Sequence, residues 1–142
     1  QLLCGELSSI NQYFLHSKMC KNWGYNKLAA HIHAESIDEM KHAAAITERI
    51  LYLEGVPNFQ KLEKIDIGTT VKEQLKSDLN FEQTAITRLQ SAIEACYDEK
   101  DHGTRELLEK ILTDEENHFD WIETQLDLIK SIGYERYLSQ QL

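Results

Sequence analysis

Two stretches of the chain repeat one spacing of metal-binding groups. In ESIDEMKHA, residues 35–43, Glu39 precedes His42 by three positions, and in DEENHFDW, residues 114–121, Glu115 precedes His118 by the same interval. On a helix, side chains three apart differ by about 60° in projection and about one turn along the axis, so each pair can reach a single point. Carboxylate oxygens mixed with imidazole nitrogens suit iron or manganese better than a closed structural zinc site. Cys4, Cys20 and Cys96 are scattered and form no C-x-x-C, so neither a thiolate site nor a disulfide framework is expected, and a reducing cytoplasm fits them best.

The elements that must position these groups are helical. One proline and six glycines among 142 residues leave few turn signals, and the abundance of Leu, Ile, Ala, Glu, Lys and Gln favours long helices. Four apolar seams with steps of three and four follow, each interrupted by a carboxylate. The first runs Leu3, Glu6, Ile10, Tyr13; the second Leu28, Ile32, Glu35, Glu39, His42, Ile46, Ile50, Leu53. The third is Leu75, Leu79, Glu82, Ile86, Leu89, Ile93, Cys96, and the fourth Leu108, Ile111, Glu115, His118, Ile122. The first seam begins so early that the start of helix 1 is expected to lie upstream of Gln1.

Between the second and third seams, residues 54–70 hold the only proline, two glycines and no helical pattern. About sixteen extended residues reach ~50 Å, longer than a helix of ~28 residues at ~42 Å, so this segment can run the length of a bundle and make helices 2 and 3 parallel. The other connections, near Asn22–Asn26 and Asp101–Gly103, are short enough for antiparallel turns. The expected fold is all-α: a single domain over residues 1–142, a ferritin-like four-helix bundle with one long crossover between helices 2 and 3. Gly133 as a C-cap leaves room for a short fifth helix after it.

Glu6, Glu39, His42, Glu82, Glu115 and His118 all fall on these seams. Taken singly, each has an ordinary explanation as a salt-bridged glutamate or a hydrogen-bonded core histidine. Together they do not, because four carboxylates buried as bare charges would cost several kcal/mol each, and no Lys or Arg stands on the seams to neutralise them. Two divalent ions would balance the four negative charges, with the neutral imidazoles completing the ligand shells. One Glu from each of two helices plus a Glu-x-x-His from each of the other two is the known ligand pattern of ferritin-like di-iron and di-manganese proteins.

At this level of detail the chain resembles the bacterioferritins. GELSSINQYFLHSKM, ESIDEMKHA, RILYLEGVPN, SDLNFE and DEENHFDWIETQLDLI are similar to that family in order and spacing across essentially the whole sequence. The resemblance implies a hollow 24-subunit shell, a homo-oligomer built from haem-bridged dimers. It also implies a ferroxidase that oxidises ferrous iron with dioxygen or hydrogen peroxide and stores the ferric mineral inside. Carried over by position, Glu39 and Glu115 would bridge two iron ions per subunit, Glu6 and Glu82 would be terminal carboxylates, and His42 and His118 would each give one nitrogen. The second histidine, His118, favours this branch over animal-type ferritins.

The resemblance further implies haem b shared between two subunits, with Met40 of each as axial ligand, lined by Ile10, Phe14 and Ile37, and a ferredoxin-type reductant that releases iron. Met40 follows Glu39 and is turned ~100° away from the metal seam, so an apolar dimer contact is its alternative role. Tyr13 is expected to bond a ligand or act as a redox phenol, Trp121 to pack in the core, and Glu35 to support the site or pass metal through it. His31, His33, His16 and His102 are expected in solvated or interfacial roles. Family members carry a histidine where Ala34 stands, beside Asp38, so an inner-surface iron site is not expected intact.

The net charge of −9 argues against nucleic acid, and no apolar run reaches the ~20 residues that cross a bilayer. Two rivals share part of the pattern. A di-iron oxygenase or peroxidase uses the same ligands but needs a substrate cavity, which seams of Leu and Ile leave little room for. A haem or electron-transfer protein with structural bundle metal would keep a haem spectrum without retaining added iron.

Overall fold

The computed structural model describes all residues from Gln1 to Leu142. They form five helices and no strand: α1 (Leu2–Asn22), α2 (Asn26–Tyr52), α3 (Val71–Asp98), α4 (His102–Ile132) and α5 (Tyr134–Ser139). The packing partners α1 with α2 and α3 with α4, and the pairs α1–α3 and α2–α4 close the ring into a four-helix bundle, with α5 set against α4. No helix is long and apolar enough to cross a membrane.

Local chemistry explains the boundaries. The Thr70 hydroxyl accepts from the Glu73 backbone N–H at the start of α3, and the Asp101 carboxylate accepts from the Thr104 N–H at the start of α4. The expected turn around Gly103 is one residue set tighter, because α4 opens at His102 and takes Gly103 into its first turn. Gly133 ends α4 with φ +91°, a value only glycine adopts without strain, and α5 follows at once. Leu53, placed on the second seam, lies just past the end of α2 and is 55% exposed.

The apolar core is in two parts. One cluster holds Tyr13, Cys20, Leu28, Ile32, Leu75 and Ile122 among its members, and the other is Leu3, Ala43, Ile46, Leu89, Leu108 and Ile111. Along every long helix the residues of the two clusters are separated by the polar seam positions: Glu6 on α1, Glu39 and His42 on α2, Glu82 on α3, Glu115 and His118 on α4.

The crossover, residues 53–70, is tied to α1 at regular intervals. The Glu63 N–H donates to Ser8 Oγ at 2.8 Å, the Asp66 N–H to Gln12 Oε1 at 3.0 Å and the Gly68 N–H to His16 Nε2 at 3.1 Å. As the crossover advances, its partners on α1 advance in the same direction, so it runs alongside α1 and delivers α3 to α1's C-terminal end. Gln12 and Gln74 then contact α3 and α1 in descending order, with Gln12 on Asp78 and Cys20 on Gln74, so α3 is antiparallel to α1 and parallel to α2.

This corrects the expectation for His16, which is fully buried rather than solvated or interfacial. Since Nε2 accepts from Gly68, the proton sits on Nδ1, which donates to Asp78 Oδ1 at 2.8 Å. Asp78 is itself buried, and burial raises its carboxyl above the usual range while His16 and Gln12 pull it back. Ser8, Gln12 and His16, spaced i, i+4, i+8, thus form a second stripe on α1, polar yet buried, because it satisfies backbone groups of a segment that has no ladder of its own.

His16→Leu would strand the Gly68 N–H, at roughly 1–3 kcal/mol, and leave the buried Asp78 carboxylate with Gln12 as its remaining partner. The expected result is a lowered denaturant midpoint and faster amide exchange at Gly68, and unchanged exchange there would show the crossover is held some other way.

Candidate metal centre

Six side chains from four helices meet between the two apolar clusters. Glu6, Glu39, His42 and Glu115 each bring one ligand atom within 4.8 Å of the others, and so do Glu39, Glu82, Glu115 and His118. The two groups share Glu39 and Glu115. His42 Nδ1 stands 3.0 Å from Glu115 Oε1, 3.6 Å from Glu6 Oε2 and 3.7 Å from Glu39 Oε1. His118 Nδ1 stands 3.3 Å from Glu39 Oε1, 3.6 Å from Glu82 Oε1 and 3.9 Å from Glu115 Oε1.

Whether these residues fit a pair of cations can be tested on their unused atoms. Glu6 Oε2, Glu39 Oε1, Glu82 Oε2, Glu115 Oε1, His42 Nδ1 and His118 Nδ1 are all buried and lack a hydrogen-bond partner. Buried polar atoms are normally satisfied, so six converging orphans mark a place built for something else. Four carboxylates and two imidazoles without a balancing Lys or Arg are the donor set for two divalent ions.

The outward atoms of these same groups are held. Ser9 Oγ is 2.9 Å from Glu39 Oε2, the Tyr13 hydroxyl donates to Glu82 Oε1, and His42 Nε2 bonds Asp114 Oδ2 at 2.9 Å. His118 Nε2 faces Asp38 Oδ2 at 3.6 Å. Such partners fix which ring nitrogen points inward and orient each carboxylate before any ion arrives. Tyr13 therefore does touch a member of the set, and burial with the charges of Glu82, Asp78 and Glu39 raises its phenol well above the usual value. Ser9 and Asp114 were not singled out from sequence. Asp114 directly precedes Glu115, and Ser9 stands three residues after Glu6, about one helical turn on.

The remaining positions divide. Glu35 is buried, burial pushes its carboxyl up to about 7 against the opposing pull of His31 and His118, and its Oε1 bonds His31 Nε2 at 3.0 Å. His31 is partly buried rather than solvated, because its ring stacks on Trp121 with centroids 3.6 Å apart. His33 and His102 are exposed. Met40 is 51% exposed on the outer face of α2, with Phe14 and Ile37 also exposed and Ile10 half-buried, so none of them reaches the metal centre.

The comparisons with known proteins agree with the fold. The ferritin-like domain family matches residues 1–132. Bacterioferritin of Mycolicibacterium paratuberculosis is 51% identical over 138 residues, which is 97% of this chain and 87% of the relative. Bacterioferritin of Streptomyces coelicolor is 47% identical over 137 residues, 96% of this chain and 82% of the relative, and a bacterial ferritin of Synechocystis is 45% identical over 143 residues, 100% and 92%. The class defined by bundle and site is the ferritin-like one; within it, the chain belongs to the bacterioferritin family.

Without metal, the centre must hold protons. Burial, then the neighbouring Glu82, Glu39 and Glu6, drives the Glu115 carboxyl far above its usual range, and burial followed by Glu39 raises Glu6. Burial would lower His118, but the Glu39 and Glu82 carboxylates prevail and push it up to about 11. Burial would raise Glu39 too, yet its approach to His118 and Glu6, with the charges of His42 and His118, brings it down to about 2.

In the metal-free centre Glu115, Glu6 and His118 thus favour their protonated forms, and bound cations would compete with those protons. Raised folded-state values mean that the metal-free fold loses stability as pH rises above the unfolded carboxyl range, near ~4.5, and continues to lose it through the histidine range. Metal stabilisation should consequently grow between about pH 5 and pH 8. Titration with Co²⁺ in a pH-stat should release protons, and a proton-neutral titration would contradict this picture of the metal-free centre.

Proposed function

We propose that residues 1–142 form one ferritin-like domain that oxidises ferrous iron at this centre and stores the ferric product within a shell of its own copies. The observation that carries the reading is the pair of overlapping four-ligand groups sharing Glu39 and Glu115, each of the six members with a buried orphan atom aimed inward. Membership of the bacterioferritin family supports iron as the metal and storage as the purpose.

Ferrous ions are the substrate. Glu39 and Glu115 are the candidates to bridge two of them, Glu6 with His42 to complete one shell, and Glu82 with His118 the other. Bridging holds the ions in the two-metal range of ~3.5–4 Å. Two ferrous ions together supply two electrons: dioxygen with two protons gives hydrogen peroxide, and hydrogen peroxide with two protons gives two waters. Ser9, Asp114 and Tyr13 act by holding ligand atoms in place.

Haem b is compatible with the outer face of α2. Met40, Phe14 and Ile37 leave apolar surface exposed there, and the Met40 thioethers of two subunits would hold the haem between them. When bound, haem would supply a one-electron route between an external reductant, of ferredoxin type, and stored iron. The reading also includes a 24-subunit shell and a cytoplasmic setting.

An oxygenase or peroxidase would use the same ligands, and retention of iron separates it from storage. Aerobic loading with excess ferrous iron, then size-exclusion chromatography and an iron count, should find many irons per chain in a shell-sized particle. A count that stops at two per chain would remove storage. Glu39→Ala and Glu115→Ala should abolish the fast phase of oxidation, whereas Asp114→Asn, which loosens His42, should weaken metal binding or rate by roughly 10–100-fold. Equal rates for Glu115→Ala and the unsubstituted protein would refute the assignment.

A further inference from the structure

A narrow cavity opens between α1 and α3 and ends on the metal centre. Its floor is Glu6, Glu39, Glu82 and Glu115, and its walls include Phe81, Ala85 and Leu89. Arg88 also lines it. The guanidinium lies against the bare backbone at Gly5, where a Cβ would stand 3.4 Å from Nη1, and it donates to Glu63 of the crossover. Three segments thus converge at one place: α1 at Gly5, α3 at Arg88 and the crossover at Glu63.

The pair is oriented. Arg88 borders the cavity and also a surface depression beside Gln1 and Thr87, whereas Glu63 lines neither and borders an adjoining depression with Lys64 and Asp66 that shares Phe81 and Thr84 with the cavity. The positive end of the pair thus lines the passage and the negative end does not. A fixed guanidinium in a narrow, mostly apolar passage is an electrostatic barrier to cations and none to neutral molecules. The opposite side of the bundle, formed by α2 and α4, has the reverse character. Behind His42 stands the exposed carboxylate of Asp114, which attracts cations, and behind His118 stands Asp38, whose other oxygen pairs with Lys41 at 3.3 Å.

From this we infer that the α1–α3 cavity is the entry port for the neutral oxidant, dioxygen or hydrogen peroxide, with Arg88, anchored by Glu63, as a filter that keeps ferrous ions from using it. The inference rests on the proposed ferroxidase reading and adds a division of labour between two faces. Neither Arg88 nor Glu63 touches the metal ligands' inward atoms, so both act on access and not on the chemistry.

Two variants separate the routes, each read by two rates on the assembled protein. Anaerobic mixing with Co²⁺, followed by its visible absorption, reports cation entry alone. Mixing protein preloaded with ferrous iron against hydrogen peroxide reports oxidant entry. Ala85→Leu, which narrows the passage, should slow oxidation of preloaded protein several-fold and leave Co²⁺ loading unchanged. Arg88→Gln should speed Co²⁺ loading roughly tenfold by removing the repelling charge and leave oxidation of preloaded protein unchanged.

Slower Co²⁺ loading in Ala85→Leu would make the cavity the cation route and overturn the inference, as would an unchanged Co²⁺ rate in Arg88→Gln. If the unsubstituted preloaded protein is not oxidised at all, the ferroxidase reading itself falls. The Co²⁺ rates still decide whether Arg88 filters cations.

Discussion

Four carboxylates enclosed in a helical bundle are the constraint from which the rest of this structure follows. Glu6, Glu39, Glu82 and Glu115 are each at most 4% exposed, and charges so placed must be neutralised by protons or by cations. The protein provides neither Lys nor Arg at that level, and so the centre is stable only while it holds something. That requirement ties the energetics of folding to the occupancy of the site.

The same requirement shapes the core. A continuous apolar interior would be more favourable for burial alone, yet here it is cut into two clusters above and below the polar layer. Each cluster fixes one end of every long helix, so the layer between them is positioned from both sides. Metal-centre geometry at sub-ångström tolerance needs such support. The outer partners, Ser9 on Glu39, Tyr13 on Glu82 and Asp114 on His42, then set the rotation of single side chains.

Parallel alignment of α2 and α3 is what allows a Glu from α3 to meet a Glu-x-x-His from α2 and another from α4, and it depends on a crossover with no regular structure. Its backbone N–H groups are satisfied by Ser8, Gln12 and His16, which consume a face of α1 that would otherwise be apolar. The crossover also carries Glu63, whose bond to Arg88 sets the charge at the mouth of the α1–α3 cavity. One segment thereby serves topology and access together.

The sequence by itself determined the helices, their order, the long crossover and the six seam residues, because each depends on spacing along one chain: 3.6-residue periodicity, the clustering of proline and glycine, and a Glu-x-x-His interval that survives any packing detail. Tyr13 was legible for the same reason, lying two turns from Glu6 on one phase. What only the tertiary structure decided were pairings between segments. His16 looked free because its partners, Asp78 and the Gly68 N–H, are 62 and 52 positions away. Asp114 and Ser9 look like ordinary polar residues until His42 and Glu39 are brought across from another helix, and Arg88 reads as a surface cation until α1, α3 and the crossover converge on it. Periodicity says which way a side chain faces; what it meets there is fixed only when distant segments pack.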